Sequence, residues 1–84
     1  MRYEVALKPR AMKDLRRIPK NDAARIIDAL HTLREDLTGD VRRLTDFTPE
    51  YRLRVGDYRA LFEIEGPNRV VVYRIRHRRE AYRS

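Results

Sequence analysis

The chemistry in this sequence is carried by arginines. YRLRVGDYRALFEI, residues 51–64, sets Arg52, Arg54 and Arg59 around one Gly-Asp step. RIRHRREAYRS, residues 74–84, adds Arg74, Arg76, Arg78 and Arg79, with His77 and Tyr82 among them. If the first stretch folds back as a hairpin, alternate side chains share one face, and like charges held opposite one another repel. A face built that way needs an external anion. Guanidinium carries a permanent charge and a planar fork of donors that fits phosphate or carboxylate. Several forks around one phosphate would also stabilise the extra charge that develops during phosphoryl transfer. His77 is the group in this region that titrates near neutrality. Tyr82 offers a hydroxyl and a ring that stacks on a base. Both also have a structural reading: His77 as a strand-end residue bonded to backbone, Tyr82 as an aromatic lid at the core's edge. The same arginine face suits a carboxylate-rich helix of a protein partner, so residue types alone leave two kinds of anion open.

The charge balance points the same way. The 84 residues carry a net charge of +7. Residues 1–50 hold 11 Lys+Arg against 9 Asp+Glu, a net of +2, and residues 51–84 hold 9 basic against 4 acidic residues, a net of +5. All nine basic residues of the second part are arginines, whereas a surface serving only solubility need not exclude lysine. An anionic partner, nucleic acid or an acidic protein, is favoured. No cysteine is present, which excludes disulfides and thiolate zinc sites. The two histidines, His31 and His77, stand far apart, so no metal or other cofactor is expected. No apolar run approaches the roughly 20 residues of a membrane span. MRYEVALKPR is charged from the start and lacks a signal-peptide core. A cytoplasmic protein without a membrane partner is expected, with one domain over residues 1–84.

The elements that must position these arginines can be read from periodicity. Tyr3, Val5 and Leu7 alternate with Arg2, Glu4 and Ala6, which predicts a first strand. Pro9 suits the first turn of a helix; Ala11, Leu15 and Ile18 follow at helical spacing until Pro19. A second helix is predicted from a cap at Asn21 or Asp22, with Ile26, Leu30, Leu33 and Leu37 as its stripe, widened by Ala23 and Ile27, and Gly39 just past its end. DVRRLTDFTPE reads as irregular chain with Leu44 and Phe47 plugging the core. YRLRV, YRALFEIE and RVVVYRIR, joined by GD and GPN, predict an antiparallel meander. The predicted class is α+β, in the order β-α-α-β-β-β, with a helical hairpin on one face of a small antiparallel-rich sheet. Strict alternation puts Leu53, Val55, Ala60, Phe62, Ile64, Val71, Tyr73 and Ile75 towards the core. It puts Arg52, Arg54, Arg59, Arg74 and Arg76, with Leu61, Val70 and Val72, on the far face.

YRLRVGDYRALFEI followed by VVVYRIRHRREAY resembles the C-terminal half of the RelE/ParE superfamily of toxins from type II toxin–antitoxin pairs. The matching positions are Tyr51, Arg52, Arg54, Gly56, Tyr58, Arg59, His77, Arg78 and Tyr82; the opening strand and the KPRAMKDL helix start agree. The resemblance implies a RelE-like fold and a ribosome-dependent mRNA interferase. Such an enzyme cuts messenger RNA in the A site by attack of the RNA's own 2′-hydroxyl on the adjacent phosphate, and a cognate antitoxin silences it. Carried over by position, Arg59, Arg78, Tyr82 and His77 become the catalytic candidates. Arg52 and Arg54, which match the family's basic residues, become RNA-binding ones, contacting mRNA on the ribosome; Arg76 and Arg79 join them as members of the same basic face rather than as matched positions. The family often has lysine at the positions of Arg52 and Arg54. An arginine keeps the charge but cannot take up a proton, so a general base must come from His77 or Tyr82, or less readily from Glu50 or Glu80.

Two other functions compete. One is the ParE-like branch of the same fold, which poisons DNA gyrase. The other is a non-catalytic basic module that docks an acidic antitoxin helix. The sequence has no recognition-helix signature, so DNA would be reached only indirectly, as co-repressor through the antitoxin.

Overall fold

The computed structural model describes residues 1–81. Along the chain come β1 (Glu4–Leu7), α1 (Pro9–Arg17), α2 (Lys20–Leu33), β2 (Val41–Arg43), β3 (Tyr51–Val55), β4 (Tyr58–Glu65) and β5 (Arg69–His77). The five strands form one mixed sheet in the order β1-β5-β4-β3-β2. β1 runs parallel to β5 and every other pairing is antiparallel. The α+β class and the helical hairpin on one face are as the sequence predicts. The short strand β2 is an addition: VRR lies in the stretch read as irregular and pairs with Leu53, Arg52 and Tyr51.

One contiguous core joins the helices to the sheet. Ala11, Ile26, Leu30 and Leu33 pack with Leu53, Ala60, Phe62, Val70, Val72 and Ile75, all at most 5% exposed. Tyr51 and Phe62 are cross-strand partners and stack with centroids 5.4 Å apart. Leu44 and Phe47 are only half-buried and lie outside this core, so they do not plug it.

Strict alternation fails at one point. The β4–β5 register shifts between Leu61 and Phe62, which pair with Arg74 and Val72, leaving Tyr73 as the extra residue. Such a bulge reverses the side-chain phase. Val70 and Val72 therefore belong to the core, while Val71 and Tyr73 do not. Beyond the bulge the predicted phase returns, with Ile75 inward.

Helix α2 also departs from its predicted ends. It begins at Lys20 with Pro19 at the N-cap and no side-chain cap bond, rather than at Asn21 or Asp22. It stops at Leu33, a turn early. The N-terminal segment competes for the groups that would continue it: Tyr3 N–H donates to the Arg34 carbonyl and Asp36 N–H donates to the Met1 carbonyl, at 2.8 and 2.9 Å. Asp36 and Leu37 then turn through positive φ, 58° and 57°. Leu37 still packs against the core from outside the helix, whereas Ile27 is 44% exposed instead of widening the stripe.

β1 ends at Leu7, so the rest of β5 would expose an edge. Helix α1 covers it. Its Asp14 carboxylate accepts from Ile75 N–H at 2.9 Å and from Arg74 Nε and Nη2 at 2.8 and 3.1 Å.

Candidate nucleic-acid interface

The meander places its arginines by register. Arg54 pairs with Arg59 across β3 and β4, and Arg59 pairs with Arg76 across β4 and β5. Partners in register project to the same side, with Cβ atoms roughly 5 Å apart. Leu53, between Arg52 and Arg54, is in the core, so the row Arg54–Arg59–Arg76 lies on the face turned away from the helices. One step along the strands, Arg42, Arg52, Leu61 and Arg74 form a second row on the same face.

The guanidinium groups differ in what holds them. Arg52 is only 7% exposed, and its Nη1 donates to both the carbonyl and the carboxylate of Asp40, at 2.9 and 3.2 Å. Arg54 is exposed, with Nε 2.8 Å from the other Asp40 oxygen. Arg76 lies 3.6 Å from Glu80, one turn further on. Arg74 is spent on Asp14. Arg59, in the middle strand, donates from Nη1 to the carbonyls of Gly56 and Tyr58 at 3.0 and 2.9 Å. Among the described residues it has no carboxylate partner. The centre of the row is thus a fixed cation whose charge is not locally neutralised.

Arg78 sits at the same end of the sheet. Its backbone N–H donates to the Asp57 carbonyl at 2.7 Å, and its Nε is 4.0 Å from the Asp57 carboxylate. Both Arg59 and Arg78 are therefore tied to the Gly56-Asp57 turn. Gly56 has φ +58°, and a side chain there would meet the Arg25 guanidinium at 3.6 Å. Arg79 is exposed just beyond the strand.

His77 does not join the row. It pairs with Tyr58, shares the side of Ile75, and meets the Tyr58 ring edge-on at 5.6 Å. Its Nδ1 accepts from Arg79 N–H at 3.2 Å. The strand's two-residue period, restored after the bulge, puts it on the opposite face from Arg76. Tyr82 lies outside the described residues. Glu50 is ion-paired with Arg43 at the far edge, while the Glu80 carboxylate reaches the row.

Asp40 was not singled out by sequence reasoning. It touches both Arg52 and Arg54, and the Arg52 bond, with the charges of Arg52, Arg54 and Arg42, holds its carboxyl below the usual range against a smaller effect of burial. A lone acid before VRR, facing a basic hairpin, is the signal that marks it. Among the described residues no group of acids and histidines is arranged to hold a metal, and no helix is long and apolar enough to cross a membrane.

The sequence pattern of the ParE toxin of the type II toxin–antitoxin system parDE matches residues 5–82. The chain belongs to this toxin family, within the RelE/ParE superfamily. The toxin is also similar to RelE1 of Methanocaldococcus jannaschii, with 27% identity over 89 residues, covering 100% of the chain and 99% of RelE1. Its fold matches a chain of the RelBE2 toxin–antitoxin complex from Mycobacterium tuberculosis, with a TM-score of 0.78 and 25% identity over 92% of this chain and 99% of that one. It also matches a chain of the archaeal RelE–RelB complex from Pyrococcus horikoshii, with a TM-score of 0.76 and 24% identity over 96% and 100% of the two chains.

Proposed function

We propose that this toxin is an endoribonuclease of the mRNA interferase kind, acting on messenger RNA in the ribosomal A site. The observation that carries the reading is the register-aligned row Arg54–Arg59–Arg76 with an unneutralised arginine at its centre. In the proposed reaction the 2′-oxygen loses its proton and attacks the adjacent phosphorus. The bond to the 5′-oxygen breaks, that oxygen takes up a proton, and a cyclic phosphate and a free 5′-hydroxyl result. Arg59 binds the scissile phosphate and the charge that develops on it. Arg78, held by the same turn, and Arg54 and Arg76 on either side grip the flanking backbone. Arg52 serves from behind, since it is buried and its Nη1 is held by Asp40.

The row is poor in bases. Arginine does not give up its proton, and the carboxylates within reach, Asp40 and Glu80, are ion-paired with it. Glu80 is the candidate base with the better access, at 59% side-chain exposure. A site so short of basicity is slow on free RNA and depends on the ribosome to hold the message in line. The partner that silences it is a cognate antitoxin, by analogy with the RelB-containing complexes of the structural relatives. DNA is reached only through that antitoxin. The test is cleavage of a single codon on programmed ribosomes. Arg59→Ala and Arg78→Ala are each expected to cut about 10²- to 10³-fold more slowly; undiminished cutting would overturn the assignment.

The match to the ParE description favours a second reading, inhibition of DNA gyrase. A supercoiling assay separates the two: gyrase arrest at stoichiometric toxin, with intact mRNA on ribosomes, selects the second.

A further inference from the structure

Asp40 makes four contacts with the two arginines of β3. Its carbonyl accepts from Arg54 N–H at 3.0 Å and from Arg52 Nη1 at 2.9 Å. Its carboxylate takes Arg52 Nη1 on one oxygen at 3.2 Å and Arg54 Nε on the other at 2.8 Å. The residue before it makes this approach available. Gly39 adopts φ +140°, and a Cβ there would lie 2.9 Å from Leu53 Cδ1, inside the core. Arg52 is buried and locked, so it fixes Asp40 rather than meeting a ligand. Arg54 is exposed, with its Nε in ion-pair contact with the carboxylate. Among the described residues Asp40 is the one acid ion-paired with Arg54.

We propose that Asp40 is a positioning residue of the arginine face: a built-in anion that tethers Arg54 by an ion pair and withholds part of the face's charge from a phosphate backbone. The proposal rests on reading this face as phosphate-binding. Its two effects have opposite signs. Removing the carboxylate charge strengthens the field felt by any polyanion, yet frees Arg54 from its fixed direction. Asp40→Asn therefore binds nucleic acid more tightly and cuts it more slowly, a split that loss of structure does not produce.

The experiment measures binding of single-stranded oligothymidylate across a salt series for the unaltered toxin, Asp40→Asn and Asp40→Glu, with thermal unfolding as the folding control. Oligothymidylate has no 2′-hydroxyl, so charge is read apart from cleavage. For Asp40→Asn the slope of log affinity against log salt is expected to steepen by about 0.7. Its affinity then falls about two- to threefold more than that of the unaltered toxin between 50 and 200 mM salt. Asp40→Glu, which keeps the charge, is expected to retain the original slope. An unchanged slope in Asp40→Asn, or equal behaviour of the two variants, would overturn the proposal. If Asp40→Asn does not fold, the unaltered protein decides by NMR. The Arg54 Nε resonance, 2.8 Å from the Asp40 carboxylate, is expected to move as that carboxyl is protonated with falling pH, while that of Arg79 does not follow it; an unmoved Arg54 would overturn the proposal. A toxin that shows the predicted slopes but never cuts RNA keeps the role of Asp40 and loses the nuclease reading.

Discussion

Three arginines of one motif have three different roles because of what surrounds them. Arg59 is anchored by carbonyls and has no carboxylate partner among the described residues, Arg54 is ion-paired with a carboxylate, and Arg52 is buried with its Nη1 bonded to Asp40. Arg52→Ala is expected to lower stability by about 1–3 kcal/mol, because it removes a buried side chain and its charge-assisted bonds to Asp40, whereas Arg59→Ala costs activity and little stability. Urea unfolding of both variants beside the ribosome assay checks this. Stability losses in the reverse order would contradict it. Periodicity put all three arginines on one face, correctly. It could not show that one of them is buried, because that depends on Asp40, twelve residues upstream and in a segment with no clear pattern. His77 was grouped with the arginines by proximity in sequence. The two-residue period of a strand separates neighbours at 76 and 77 onto opposite faces, and Tyr58 claims the histidine.

At the scale of elements, two devices hold the arginine strands in place. The first is the Asp14 clamp on the open edge of β5. Burial pushes the Asp14 carboxyl up, but the Arg74 bond, the Ile75 N–H and the charges of Arg74 and Arg76 outweigh it and hold the group below the usual carboxylate range. A carboxyl depressed in the folded state contributes stability that is present above its unfolded value of about 3.9 and lost as pH falls through its folded value. Asp14→Asn is therefore expected to be destabilising at pH 6, and the gap to the unaltered toxin should close as pH falls below about 4. Urea midpoints across pH 2–6 measure it; a constant gap would show that charge is not the cause. The second device is Gly39. Gly39→Ala forces an unfavourable φ and crowds Leu53, at a cost of about 1–3 kcal/mol. It should also steepen the salt response as the Asp40 carboxylate is displaced from Arg52 and Arg54; a thermal melt would detect the first effect and the oligothymidylate series the second. Helices, meander and turns were legible from spacing and turn residues. The bulge at Tyr73 was not, since RVVVYRIR alternates well enough on paper and only the pairing with Phe62 and Leu61 shows the extra residue. β2 was missed because three residues, two of them arginine, carry no period.

For the whole molecule, the sheet separates its two tasks by face. One side buries the core against the helices, and the other gathers charge that its own acids only partly offset. That separation is in line with the excess of arginine over residues 51–84 of the sequence, and it leaves a chain of 84 residues one face free for the proposed site. The central claim is that Arg54, Arg59 and Arg76 act as one receptor for a phosphate. Side-chain NMR of arginine-labelled toxin, titrated with inorganic phosphate, tests it most directly. The Nε–H resonances of these three arginines should shift together along one binding curve, with that of Arg52 unmoved. Shifts with separate midpoints, or a larger response from arginines of α1 and α2, would contradict it.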